Sequence, residues 1–380
     1  MVSNSKKKGE KLVERNIYVK KKGIGSGNPI FITAEIGCAH MGDFDAAKEM
    51  LLGAKKAGCD GADLFLEHPE DHYMASAGGA IRQWKREGFS PEQWRRLFSY
   101  AKEIDIIMYL TPLDLTSVRL AVELGSPMLN INSDDVTNLI QLELVASMGL
   151  PVTMHDINAT LAEVEAAVQT LNMAGCKDIT LLHSTLESGG DDSERLYSTS
   201  NLKVMETYRS AFSGRGVLVG CVEHTTSDFL IYAVAAMQPV LISKHIIARH
   251  KEGAPDDEIS VELKSLQNMV QNVRYVEMAM GSGSNCLVTD INGEMRAGLK
   301  NRRKVLVAAR DIPKGELVEK GDIVAKRPWI EGGLHLWKSR ELHGAKTRRF
   351  IHKDEVLDFN MFEQFPTTQY QFPELEKRRF

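Results

Sequence analysis

Across the 380 residues, histidine and carboxylate side chains gather at the C-terminal ends of short apolar runs. The positions are Glu35 with His40, Glu67 with His68, Thr111, Ser133 with Asp134, His155 with Asp156, His183, Glu223 with His224, and His245. Carboxylates and neutral imidazoles in such positions can move a proton near neutral pH. Any surface loop collects polar residues, which explains each single position about as well. That six of the eleven histidines fall at such ends is harder to ascribe to loops.

The apolar runs themselves give the architecture that would bring these groups together. Runs rich in β-branched residues occupy 29–36, 61–66, 106–111, 127–132, 151–155, 178–183, 216–222 and 239–245. Between them lie stretches of helical periodicity, among them 45–57, 116–123, 140–148 and 161–173. Eight β/α units at this spacing predict a closed (β/α)8 TIM barrel rather than an open doubly wound sheet. No G-x-G-x-x-G follows a strand, which argues against a dinucleotide fold. In a barrel the C-terminal strand ends share one face, so residues distant in sequence converge there.

Past about residue 285 the pattern changes. The stretch VLVAARDIPKGELVEKGDIV alternates short strands with Lys-Gly turns and reads as a small β-rich module. The expected division is an N-terminal extension (1–28), a barrel (29–284), a linker (285–302), the β-rich module (303–363) and a loose charged tail (364–380). Residues 68–85, HPEDHYMASAGGAIRQWK, read as a substrate-specific loop suited to a lid.

Composition narrows the function classes. With 47 basic against 51 acidic residues, the formal charge of −4 leaves no basic footprint for nucleic acid. The five cysteines are widely spaced and form no C-x-x-C pair, so they read as reduced core thiols rather than as a disulfide framework or zinc knot. The basic N-terminus lacks the apolar stretch of a secretory signal, and no run approaches a membrane span. The expectation is a cytoplasmic protein with no membrane partner.

The opening ITAEIGCAHMGDFDAAKEMLLGAKKAGCDGADLF resembles that of the N-acetylneuraminate (sialic acid) synthase family, roughly AEIG-x-NH-x-G-D followed by a helix and a GAD strand. VLVAARDIPKGELVEKGDIVAKRP resembles the family's C-terminal antifreeze-like, or SAF, domain. With YLTPLD, LLHST, VEHTT and SKH in the family's order, the similarity spans about residues 28–363. The resemblance implies condensation of phosphoenolpyruvate with an N-acyl amino sugar to a nine-carbon 2-keto sugar acid and phosphate. It implies a divalent metal, Mn2+ or Mg2+, held by His224 and His245, with Glu35 and His40 at the catalytic face. It further implies Asp256 on sugar hydroxyls and Arg327 reaching the partner's barrel in a domain-swapped homodimer.

The chain departs from the family at the phosphoenolpyruvate site. Asp63 stands where the family has its strand-two lysine, Asn130 replaces the strand-four lysine, His155 replaces a serine, and Val222 replaces another. Thr111 and Ser133 remain; with Asp63, Asp134, His183, Asp256 and Arg327 they make up the expected substrate-binding residues. Two lost lysines remove charge-assisted hydrogen bonds of about 1.5 to 3 kcal/mol each, and Asp63 adds repulsion against a trianion. The sum exceeds about a thousandfold in affinity. A substitute clamp would have to come from Lys85, Lys244, Arg249 or Lys251. Three readings follow: a synthase with a rebuilt phosphate site, a metal-dependent carbon-carbon lyase or aldolase in which His155 or a strand-two carboxylate is the base, and a non-catalytic sugar-binding homologue.

Overall fold

The computed structural model describes residues 15–185, 197–225, 227, 229–251, 254–281 and 302–364. The chain divides into two compact units after Gly281.

The first unit begins with an antiparallel hairpin, β1 (Asn16–Val19) and β2 (Lys22–Gly25). Eight parallel strands follow: β3 (Phe31–Gly37), β4 (Gly61–Leu66), β5 (Ile107–Pro112), β6 (Leu129–Ile131), β7 (Val152–His155), β8 (Ile179–Ser184), β9 (Leu218–Glu223) and β10 (Leu241–Ile247). Each bonds to the next, and β10 bonds to both β9 and β3, which closes the barrel. The strands lie where the apolar runs place them, within one or two residues at most ends.

Because successive side chains point to opposite faces of a strand, each run divides into two sets. One set is apolar: Ile32, Ala34, Ile36, Ala62, Leu64, Met108, Leu110, Leu129, Ile131, Val152 and Met154 join the main core with the surrounding helices. The alternate set carries polar groups into the barrel: Thr33, Glu35, Asp63, Tyr109, Thr111, Asn130, Thr153, His155, Ser243 and His245, all buried. The helices that seal the outer layer are capped by local chemistry. Asp43 accepts from the amides of Asp45 and Ala46 at the start of α1 (Phe44–Ala57), which ends on Gly58 at φ 90°. Ser90 with Gln93 and Thr160 with Glu163 form reciprocal capping boxes on the helices Pro91–Glu103 and Leu161–Met173.

Two segments add to the sequence reading. The N-terminal extension is part of the fold: Ile17, Val19 and Ile24 of the hairpin pack with Phe31, Ile107, Met128 and Leu241, near the N-terminal ends of the barrel strands. Lys22 pairs with Asp60 at 2.7 Å, and Asp60 also receives Arg274 at 2.8 Å from the final helix, Leu263–Met280. The 68–85 lid is not a loop. It holds a short helix (Pro69–His72), a 3-10 turn (Ala75–Ala77) and most of a ten-residue helix, Gly78–Glu87. Ala80, Ile81, Trp84 and Glu87 fall on its more buried side at helical spacing, and its glycines are part of what made it read as a loop.

The second unit pairs Val305–Ala308 with Ile323–Lys326 and Lys346–Thr347 with Phe362–Gln364, all antiparallel. Leu306, Ile312, Val318, Leu342, Ile351 and Phe362 form its own small core. The expected linker and tail lie almost wholly outside the described residues.

The hairpin plug yields a stability test. Ile24→Ala removes a fully buried side chain from the closed end of the barrel and is expected to lower unfolding free energy by about 2 to 5 kcal/mol in urea titrations.

Candidate active site and metal centre

Strand register brings the central groups together. His245 of β10 lies opposite Glu35 of β3, and Glu35 lies opposite Asp63 of β4. His245 Nε2 is 3.5 Å from Glu35 Oε1, and the His224 and His245 rings are 5.0 Å apart between centroids. Glu35, His224 and His245 each turn one donor atom to a common point, all three within 4.8 Å of one another and all buried. The His224 Nδ1 lies 3.0 Å from the Thr185 carbonyl, a bond only an N–H can make, which leaves Nε2 as the lone-pair donor. Burial, together with His245, pushes His224 down to about 3, so its imidazole is neutral. This is a donor set of two imidazoles and one carboxylate, which suits a divalent first-row cation.

Glu35 and Asp63, neighbours in register, are held in opposite states. Burial pushes Glu35 upward, but His245, His155, His224 and the Ser243 hydroxyl at 2.8 Å outweigh it and bring its carboxyl to about 2. Asp63 is driven well above the carboxylate range by burial and by Glu35, more than Thr111 and Asn130 offset. Thr111 donates to Asp63 Oδ2 at 2.6 Å, and the Asn130 amide donates to the same oxygen at 3.2 Å and to Thr111 Oγ1 at 2.9 Å. Thr153 in turn donates to Asn130 Oδ1 at 2.7 Å. Four adjacent strands thus share one hydrogen-bonded chain, while Asp63 Oδ1 is buried with no partner. The two positions that carry lysine in the resembled family are here bonded to each other.

The remaining expected residues fall into separate environments. His155 borders the triad, 6.4 Å from His224 between ring centroids, and burial foremost holds its imidazole below the usual histidine value. Asp256 Oδ2 is 3.8 Å from His245 Nδ1, on the side of the ring away from Glu35. Ser133 and Asp134 sit on the 3-10 turn after β6, where Asn132 Oδ1 accepts from both. His40 does not join the triad: it is buried, stacks on Phe89 at 4.3 Å, and accepts the Gly42 amide on Nδ1. His183 has both ring nitrogens engaged, by Asp156 at 3.1 Å and by the Ser200 carbonyl at 3.0 Å, which ties β8 to Asp156 and to the segment that follows. Arg327 is exposed in the second unit.

Of the four cations considered for phosphate, two are engaged elsewhere. Lys244 points to the opposite face of β10 from His245, where its ammonium meets Glu223 Oε2 at 2.8 Å and the carbonyls of Glu223, Thr225 and Ile259. Lys85 pairs with Glu70, and Arg249 and Lys251 are exposed after β10. Sequence reasoning missed Thr153, Thr185 and Ser243, whose hydroxyls and carbonyl set the orientation of the named groups; the only signal for Thr153 and Ser243 was inward parity with His155 and His245 on the same strands, and Thr185 lies just past the end of β8.

Residues 36–285 match the family model described as NeuB family, and residues 303–363 match the SAF domain. The chain belongs to the NeuB family. An uncharacterized protein of Methanocaldococcus jannaschii is 32% identical over 82% of this chain and 89% of its own length. The N,N'-diacetyllegionaminic acid synthase of Campylobacter jejuni is 29% identical over 86% and 98%, and the mouse N-acetylneuraminate-9-phosphate synthase 30% over 77% and 81%. The fold is shared with the N-acetylneuraminic acid synthetase of Leptospira borgpetersenii, with TM-score 0.66 and 24% identity over 75% of this chain and 96% of that one. Membership of the NeuB family supports a synthase-like function in carbohydrate biosynthesis. Among the described residues of this chain no helix is long and apolar enough to cross a membrane.

Two predictions follow from the buried networks. Asn130→Leu leaves the Thr153 hydroxyl and Asp63 short of partners and is expected to cost about 1 to 3 kcal/mol of stability, read by denaturant titration. Burial alone would lower His183, but its bonds to Asp156 and Ser200 raise it. Its folded-state value therefore lies above the unfolded one. The stability it contributes is present below the ordinary histidine value of about 6.5 and lost as pH rises through the folded value. The stability gap between wild type and His183→Gln is expected to narrow with rising pH across that window.

Proposed function

We propose that this protein is a divalent-metal-dependent synthase of the nonulosonic acid type, joining a three-carbon 2-oxo acid unit to the aldehyde carbon of an N-acyl amino sugar to give a 2-keto sugar acid. The observation that carries the reading is the convergence of Glu35, His224 and His245 at the barrel's C-terminal face. These three residues would hold the metal, Mn2+ or Mg2+ in the resembled family, and when bound it would supply Lewis-acid polarisation of a carbonyl oxygen.

The chain's own residues supply the rest. His155 lies near His224 and Asp256 near His245; His155, neutral, would take a proton from the three-carbon unit, and Asp256 would accept from sugar hydroxyls and orient the His245 ring. Ser243 fixes the free oxygen of Glu35. Arg327, which resembles the family arginine completing the partner's site, is proposed to act in trans in a homodimer.

A second reading of the donor is favoured by the Asp63 chain. With Asp63 and Asn130 bonded to each other where two lysines would hold a phosphate, and with Lys244 committed to Glu223, the site favours a donor without phosphate. The reaction is then an aldol addition: the donor's methyl carbon loses a proton to the base, forms the new carbon-carbon bond to the aldehyde carbon, and the aldehyde oxygen gains a proton. No phosphate leaves.

The test is product analysis by mass spectrometry with the Mn2+-loaded protein, N-acyl hexosamines, and either pyruvate or phosphoenolpyruvate. A 2-keto sugar acid formed with pyruvate, and reduced at least a hundredfold in His245→Ala, is expected. Product with phosphate release from phosphoenolpyruvate alone would retain the synthase and overturn the phosphate-free donor. No keto acid product from either donor across the sugar series would overturn both.

A further inference from the structure

The segment that follows β10 carries a second histidine–carboxylate pair that the condensation does not use. The chain leaves β10 and comes back beside it, where Val261 and Glu262 pair in parallel with Ile246 and Ile247. Two adjacent carboxylates on this segment meet two different histidines. Asp256 Oδ2 lies 3.8 Å from Nδ1 of His245, one of the three residues of the proposed metal centre. Asp257 Oδ1 lies 2.9 Å from Nδ1 of His250 and also accepts the Lys251 amide at 3.1 Å. A carboxylate can only accept, so His250 carries a proton on Nδ1 for this bond.

Backbone geometry sends the two neighbours to different partners. Asp256 sits in the left-handed region at φ 56°, ψ 17°, where a residue with a Cβ stays only if its surroundings hold it. Its carbonyl accepts from the Ser260 hydroxyl at 2.7 Å and from the Ile259 amide at 3.1 Å. On the other side, Asp257 is clasped by His250 and the Lys251 amide, and the His250 amide donates to Glu262 Oε1 at 3.1 Å on the short returning strand. The Ile259 carbonyl accepts from Lys244 at 3.1 Å, which ties the segment to the residue next to His245. The His250 side chain is half exposed, and an ion pair so open to water adds little to stability. What the clasp fixes is the direction of Asp256.

We infer that His250 and Asp257 are positioning residues that hold Asp256 against the His245 ring and thereby set the metal affinity of the triad. The inference rests on the metal-centre reading of the proposed function. A carboxylate beside the free nitrogen of a metal-binding histidine fixes the orientation of the ring and raises its basicity as a ligand. With the clasp cut, the left-handed turn relaxes and the Asp256 carboxylate leaves the ring.

The test is Mn2+ binding to the full-length protein, read from the electron paramagnetic resonance signal of the free ion, with thermal midpoints recorded to show that each variant is folded. His250→Ala and Asp257→Ala are expected to weaken Mn2+ binding about tenfold, as Asp256→Ala does. His250→Asn, whose side-chain N–H stands where the histidine Nδ1–H does, is expected to stay within about threefold of wild type. Because the clasp works through Asp256, His250→Ala is expected to add nothing once Asp256 is already alanine, whereas independent losses would multiply. Wild-type affinity in His250→Ala, an equal loss in His250→Asn, or losses that multiply with that of Asp256→Ala would overturn the inference and leave the metal centre standing. No Mn2+ uptake by the wild-type protein would instead overturn the metal centre, and the inference with it. If Asp257→Ala does not fold, the His250 variants decide.

Discussion

A charge inside a barrel has no water to fall back on, so every ionised group there must meet a partner or give up its charge. Glu35 and Asp63 are adjacent in register and cannot both stay ionised unaided. The structure separates them. Three histidines and Ser243 hold Glu35 as a carboxylate, while burial and Glu35 itself drive Asp63 toward its neutral form, bonded to Thr111 and Asn130. Two like groups pushed apart by their surroundings mark a division of labour in acid, base and ligand roles.

The fold exists to keep that separation in place. Alternation along each strand sends apolar side chains to the helices and polar ones inward, so Glu35, Asp63, Asn130, His155 and His245 occupy the buried barrel interior without disturbing the main core. The hairpin closes the other end, and Asp60 ties it to β4 and the final helix. Lys244 shows the same rule on the outer face. Its ammonium, held below the ordinary lysine value by burial, survives there because Glu223 and three carbonyls surround it.

Much of this was legible in the residues. The eight strands announced themselves through β-branched runs, and Glu35, His224 and His245 stood at strand ends whose convergence follows once the barrel closes. Partners were harder to read. Nothing in the sequence shows that Asn130 bonds to Asp63, that Thr185 fixes the tautomer of His224, or that Asp156 and the Ser200 carbonyl occupy both nitrogens of His183, because each contact joins different strands or a strand and a loop. The hairpin was missed because Asn16–Gly25 carries a run of lysines, and the Gly78–Glu87 helix because glycines lead it. The resemblance named candidate residues; the local network shows which partners hold each of them.

The proposed account depends most on the exchange of two cations for the Asp63 chain. Calorimetric titration of phosphoenolpyruvate and of pyruvate into the Mn2+-loaded protein tests it directly. The account predicts metal-dependent binding of the keto acid, with phosphoenolpyruvate bound no more tightly. Metal-dependent binding of phosphoenolpyruvate about a thousandfold tighter than pyruvate would contradict it, since that margin is what a pair of phosphate-binding lysines confers.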